Sequence, residues 1–268
     1  MDSHQGTRVV VTGAGGGIGA ALAHRFAAEG ATVVVNDLDA AKAEAVAGAI
    51  TAALAARPGG PDPEARVLAL PGDAADAAAG ALDLLAGRVD VYCANAGIGA
   101  GGDAFAGDEV WEAAWETNVM AHVRAARTLL PHWLERGDGR FVATVSAAGL
   151  LSMIGAAPYS VTKHGALAHA EWLSLTYRHR GLRVHAVCPQ GVRTDMLTAS
   201  GTAGELVLAP TAITPEDVAD AVFTGMAEDR FLILPHPEVA GYARARAEDP
   251  DRWLRGMNRV QRAWEERR

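Results

Sequence analysis

The chain has 268 residues, enough for one large α/β domain or two small ones around a substantial core. Half of the residues are hydrophobic and 21% are charged, a balance that excludes a disordered chain. A formal net charge of −8 argues against a general nucleic-acid binder, and no apolar run approaches the roughly 20 residues of a membrane span.

The N-terminal stretch MDSHQGTRVVVTGAGG lacks the charged-then-apolar layout of a signal peptide, so a cytoplasmic location is expected. It leads into the first of seven short, β-branched, nearly continuous apolar runs. These are Arg8–Thr12, Thr32–Asn36, Val67–Leu70, Val89–Cys93, Arg140–Val145, Arg183–Cys188 and Arg230–Leu234. Ala-rich stretches with helical periodicity lie between them, including Ala20–Glu29, Asp39–Ala56, Trp111–Glu135 and Ser160–Arg180. Continuous apolar strands imply burial on both faces. The alternation therefore predicts an α/β fold in which one doubly wound parallel sheet of about seven strands carries helices on both faces. No linker or repeat divides it, so residues 1–268 are read as a single domain. Cys93 and Cys188 each end an apolar run and are expected to be buried free thiols.

Two segments break the rhythm. Arg57–Arg66 is rich in Pro and Gly and reads as a solvated loop, whereas residues 194–215 form a long, small-residue-rich stretch after a strand end. Ligands of doubly wound sheets bind beyond the carboxyl ends of the strands, which makes residues 194–215 a candidate lid over substrate. Residues 236–268 read as a C-terminal helical extension whose Trp253, Met257, Val260 and Trp264 form one stripe, a pattern that packs against protein.

The first strand enters Gly13-Ala14-Gly15-Gly16-Gly17-Ile18-Gly19, followed at once by a helical pattern. Glycines let the backbone approach a diphosphate, and the helix N-terminus offers free N–H groups and a positive dipole end. A tight strand-to-helix connection is the plainer reading, but the placement in the first βαβ unit is the context that a dinucleotide site requires. Asp37, at the end of the second strand, can accept hydrogen bonds from ribose hydroxyls and would repel a 2′-phosphate; its other reading is a helix cap. No Arg or Lys follows it closely and position 16 is glycine, so NAD(H) is favoured over NADP(H).

Tyr159 and Lys163 stand four residues apart and share a face of the predicted helix. A free tyrosine has a pKa of about 10, and an ammonium one helical turn along lowers it by stabilising the phenolate. His164 and His169, on the same helix, lack any metal-ligand pattern with a carboxylate, and no metal is expected.

Taken together and in order, the motifs resemble those of the short-chain dehydrogenase/reductase family over about Thr7 to Leu234. The family's TGxxxGIG turn is present as TGAGGGIG and its YxxxK as Tyr159 and Lys163. Asp73 matches the acidic residue that contacts adenine in relatives. Asn95 and Gly97 match the NNAG element, whose first Asn is replaced here by Ala94. Asn118 matches the helix-borne Asn and Ser146 the catalytic Ser. The resemblance implies a Rossmann-type NAD(P)-dependent oxidoreductase that interconverts a secondary alcohol and a ketone. Tyr159 would be the general acid/base, Ser146 would orient the carbonyl, and Asn118 would hold water in a proton path through Lys163. Lys163 would also bond the nicotinamide ribose, and Val192 and Thr194 would address the carboxamide. The usual Pro-Gly after the sixth strand is Pro189-Gln190 here, and Gln190 either reaches substrate or packs. The family's habit implies a homotetramer or homodimer. Leu150, Met153 and Met196 suggest a hydrophobic small-molecule substrate, with core or interface packing as the other reading.

Overall fold

All seven apolar runs form strands in the computed structural model, which describes residues 4–57, 66–199 and 208–266. They are β1 (Arg8–Val11), β2 (Thr32–Asp37), β3 (Val67–Pro71), β4 (Val91–Ala94), β5 (Gly139–Thr144), β6 (Leu182–Val187) and β7 (Leu232–Ile233). All pairings are parallel, in the order β3-β2-β1-β4-β5-β6-β7.

Side chains alternate between the two faces of the sheet. Val9, Val11, Val33, Val35 and Cys93 join one apolar cluster, and Val10, Val34, Tyr92, Phe141 and Ala143 join the other. Helices α1 (Gly17–Ala28), α2 (Ala40–Ala55) and α9 (Pro215–Ala227) cover the first face, and α3 (Ala77–Leu84), α5 (Ala121–Arg136) and α7 (Ala157–Tyr177) the second. Burial on both faces explains why the strands read as unbroken apolar runs. Strand order reverses between β1 and β4, which opens the crevice where such sheets bind ligands.

Three stretches differ from expectation. The helix expected over Trp111–Glu135 is divided into α4 (Asp108–Trp115), a π-helical turn (Glu116–Met120) and α5, and the wide turn carries Asn118. Asp108 and Glu109 lie in the first turn of α4, whose cap is Gly107. The C-terminal extension is two helices, α10 (Glu238–Glu248) and α11 (Pro250–Glu265). Pro250 disfavours helical backbone at Asp249, which instead caps α11 by accepting from the Arg252 N–H. Trp253 packs on Tyr242 of α10 with ring centroids 6.3 Å apart, and no residue of α11 is fully buried. Two short helices escaped the sequence reading, α6 (Ala148–Leu151) and α8 (Asp195–Ala199). Parts of the expected loops and extension, residues 58–65, 200–207 and 267–268, lie outside the described residues. Both cysteines are free and buried, and no helix among the described residues is long and apolar enough to cross a membrane.

Candidate active site

The carboxyl ends of β1, β2 and β4 build the nucleotide side of the crevice. Gly13 and Gly17 have φ of +60° and +52°, the left-handed region that glycine adopts without strain. A Cβ on Gly13 would stand 2.8 Å from the Ala96 Cα, and one on Gly17 would stand 2.9 Å from the Thr194 Cγ2. The turn is therefore packed from behind by β4's exit and roofed by Thr194, whose hydroxyl donates to the Val192 carbonyl at 3.2 Å. Beside Gly16 the space is open. Gly16 is the N-cap of α1 without a side-chain cap, and the first turn holds no acidic residue, so its N–H groups remain available to an anion. This cradle fits a dinucleotide diphosphate. Ile18 packs against the core as the first apolar residue of α1, and Gly19 lies so close to the Gly13 carbonyl and Asn95 that any Cβ would collide.

Asp37 Oδ2 accepts from the Gly15 N–H at 2.9 Å and Oδ1 from the Asp39 N–H at 3.0 Å. Each oxygen keeps a further lone pair, so the carboxylate is oriented but not saturated. The side chain of Lys42 approaches this corner as well, with its Cβ 2.7 Å from a Cβ position on Gly15. Asp73 is exposed at the outer rim after β3, where its Oδ1 accepts from the Ala75 N–H at 2.8 Å. Asn95 supports the turn: its Nδ2 donates to the carbonyls of Thr12 at 2.9 Å and Gly13 at 3.2 Å. Sequence reasoning missed Thr12 and Asn36 as ties. Thr12 Oγ1 accepts from the N–H groups of Asn95 and Ala96, both at 3.0 Å, and Asn36 Nδ2 donates to the carbonyls of Leu70 and Gly72. The available signal was a polar residue ending an otherwise apolar strand.

Ser146 leaves the end of β5, while Tyr159 and Lys163 occupy the first two turns of α7. Ser146 Oγ accepts from the Ala148 N–H at 3.1 Å, and the Ser146 side chain acts on the Tyr159 phenol to favour its ionised form. Lys163 is 3% exposed and has no carboxylate partner among the described residues; its Nζ donates to the Thr144 carbonyl at 3.0 Å and lies 5.6 Å from the Tyr159 ring centroid. Burial pulls its pKa down to about 8. Burial raises the Tyr159 pKa, and Ser146 opposes the rise.

Asn118 is fully buried in the π-helical turn and joins three elements. Its Oδ1 accepts from the Ile98 N–H at 2.9 Å, and its Nδ2 donates to the Ile98 carbonyl and to Thr162 Oγ1, both at 3.1 Å. Gly97 faces both polar groups: a Cβ there would stand 3.1 Å from Asn118 Oδ1 and 3.3 Å from Lys163 Nζ. The structure thus brings Gly97, Asn118, Lys163, Tyr159 and Ser146 to one place.

The substrate-side candidates surround this group less closely. Leu150 is partly buried against the core, and its carbonyl accepts from Arg246 of α10. Met153 is held through its N–H, which donates to Ser160 Oγ at 2.8 Å. Met196 is 42% exposed and packs over Gly99. Val192 is buried, and the Gln190 N–H donates to His236 Nδ1 at 3.1 Å.

Comparison with known proteins accords with this geometry. The short chain dehydrogenase family model matches residues 7–204. A 1-deoxy-11-beta-hydroxypentalenate dehydrogenase from Streptomyces exfoliatus is 35% identical over 254 residues, 88% of this chain and 86% of the relative. A short-chain dehydrogenase/reductase from Burkholderia phymatum in complex with NAD superposes with a TM-score of 0.83 at 27% identity, covering 94% of this chain and 96% of that one. A short-chain dehydrogenase from Sphingobium yanoikuyae in complex with NADPH superposes at 0.76, also with 27% identity, covering 92% and 93%.

Proposed function

Because the chain belongs to the short-chain dehydrogenase/reductase family, and is an oxidoreductase of the CH–OH/C=O class, we propose that it interconverts a hydrophobic secondary alcohol and its ketone with NAD(H). The carrying observation is the convergence of the Ser146 and Tyr159 hydroxyls beside the buried Lys163 amine. When bound, the nicotinamide takes or supplies the hydride. The chain's residues manage the proton. Tyr159, kept protonated by burial, gives its proton to the carbonyl oxygen in reduction and takes one from the hydroxyl in oxidation. Ser146 orients that oxygen and stabilises its developing charge. Lys163, whose pKa burial lowers to about 8, is placed to pass the proton onward. The free lone pair on Asn118 Oδ1, facing the same space beside Gly97, suits a water on that route.

The oriented Asp37 carboxylate and the 80% exposed Leu38 beside it favour the two free hydroxyls of an NAD ribose, because neither offers a cation to a 2′-phosphate. Lys42 at the same corner supports the second reading, an NADP(H)-linked reductase. Asp73, Val192 and Thr194 complete the cofactor wall, and Leu150, Met153, Gln190 and Met196 the substrate side. The hydroxyl-bearing compound in the Streptomyces relative's name, with the apolar character of these side chains, supports a hydrophobic alcohol. Assay of a panel of secondary alcohols and ketones with each coenzyme tests the reading. A kcat/KM at least tenfold higher with NAD(H) is expected, and a clear preference for NADP(H) overturns the coenzyme assignment.

A further inference from the structure

We propose that His236 is a positioning residue that locks the wall beside Gln190 to the Ala209–Ile213 stretch, and so sets which substrates the site accepts; the inference rests on the function proposed above. His236 follows β7, lies between Pro235 and Pro237, and is 2% exposed. Its Nδ1 faces the Gln190 N–H at 3.1 Å and its Nε2 faces the Thr211 carbonyl at 3.1 Å. A main-chain N–H can only donate and a carbonyl can only accept, so Nδ1 accepts and Nε2 carries the proton. The ring is therefore neutral, in one tautomer, and uses both nitrogens.

Both partners belong to one small assembly. The Arg193 N–H donates to the Ile213 carbonyl at 2.9 Å and the Ile213 N–H to the Gly191 carbonyl at 3.1 Å, which ties residues 191–193 to 213. A Cβ on Gly191 would stand 2.3 Å from the Leu208 carbonyl, so the two stretches are in tight contact. At its far end the same wall carries Thr194 over Gly17. His236 closes the near end. Gln190 does not have a positive φ, so its backbone does not call for glycine, and its N–H is held by a partner from the C-terminal segment. The Gln190 Oε1 is buried with no hydrogen-bond partner among the described residues, an acceptor suited to a polar group on a substrate.

The test compares His236→Phe, which removes both bonds, with His236→Asn, whose Oδ1 can replace Nδ1 as the acceptor for the Gln190 N–H. Hydrogen exchange on the ligand-free protein is the first readout. His236→Phe should speed exchange at Gln190 and over 208–213 by about tenfold, the ratio given by loss of one intramolecular hydrogen bond. The amides around 144–146 and 159–163 should stay protected. Steady-state kinetics on the alcohol panel are the second. His236→Phe should raise KM about tenfold and reorder the preferred alcohols with kcat little changed, and His236→Asn should restore most of the KM. Unchanged exchange at 190 and 208–213, an unchanged preference order, or a uniform loss of stability that Asn does not relieve would each overturn the proposal. Wild-type turnover on the panel reports separately on the proposed function, and the exchange experiment does not depend on it.

Discussion

His122 is one of several buried polar residues that no sequence pattern singles out. It is 2% exposed, neither ring nitrogen has a hydrogen-bond partner among the described residues, and burial lowers its pKa to about 3. Between its unfolded pKa of about 6.5 and the folded value, the unfolded state binds more protons, so stability falls as pH drops through that window. At about 1.4 kcal/mol per pH unit the group can contribute several kcal/mol to acid unfolding. His122→Phe should flatten the loss of stability between pH 6.5 and 3 in denaturant titrations, and an unchanged slope would contradict the assignment. Among the candidate site residues, Tyr159 and Lys163 share a helix face on spacing alone, whereas Ser146 was legible only through the family resemblance. Spacing could not show that the Lys163 amine points to the Thr144 carbonyl, and His236 escaped for the same reason, since its partners are the main-chain groups of Gln190 and Thr211.

The seven strands and four long helices were legible as elements because two-sided burial leaves unbroken apolar runs and the helices between them keep their period. Boundaries moved by one to a few residues. The π-helical turn was visible only as an Asn inside a helical pattern, a propensity cost without a reason. The reason is tertiary: Asn118 holds the exit of β4 to α7 through Ile98 and Thr162. Asn118→Ala removes all three bonds, two to the main chain of Ile98 and a buried one to Thr162, which should cost about 2–4 kcal/mol at roughly 1 kcal/mol per bond. Thermal unfolding is expected to show the loss together with lowered turnover, and a variant within about 0.5 kcal/mol of wild type would show that the turn does not depend on this tie.

The whole molecule presents a surface that its own fold leaves uncovered. On α7, Val161, Trp172 and Leu175 are 49%, 53% and 83% exposed, and Trp115 of α4 is 43% exposed nearby, against Gly165. Large apolar side chains in one such band fit an interface between copies of this chain. The fold was readable at this scale, but which helix faces meet solvent was not, since α7 is apolar on both sides. Light scattering at micromolar concentration should show a dimer or tetramer, and Trp172→Glu with Leu175→Glu should shift it to a monomer. A wild-type monomer would leave the band without that role.

On the proposed function one hydroxyl, that of Tyr159, moves the proton while the phosphate cradle binds nucleotide independently. Tyr159→Phe keeps the ring and the packing of α7 and removes only that hydroxyl. Its turnover of the best alcohol found for the wild type is read at the NADH absorbance band, alongside NADH binding by fluorescence. A kcat reduced by about a thousandfold or more is expected, with NADH affinity unchanged. Retention of a substantial fraction of wild-type kcat would contradict it.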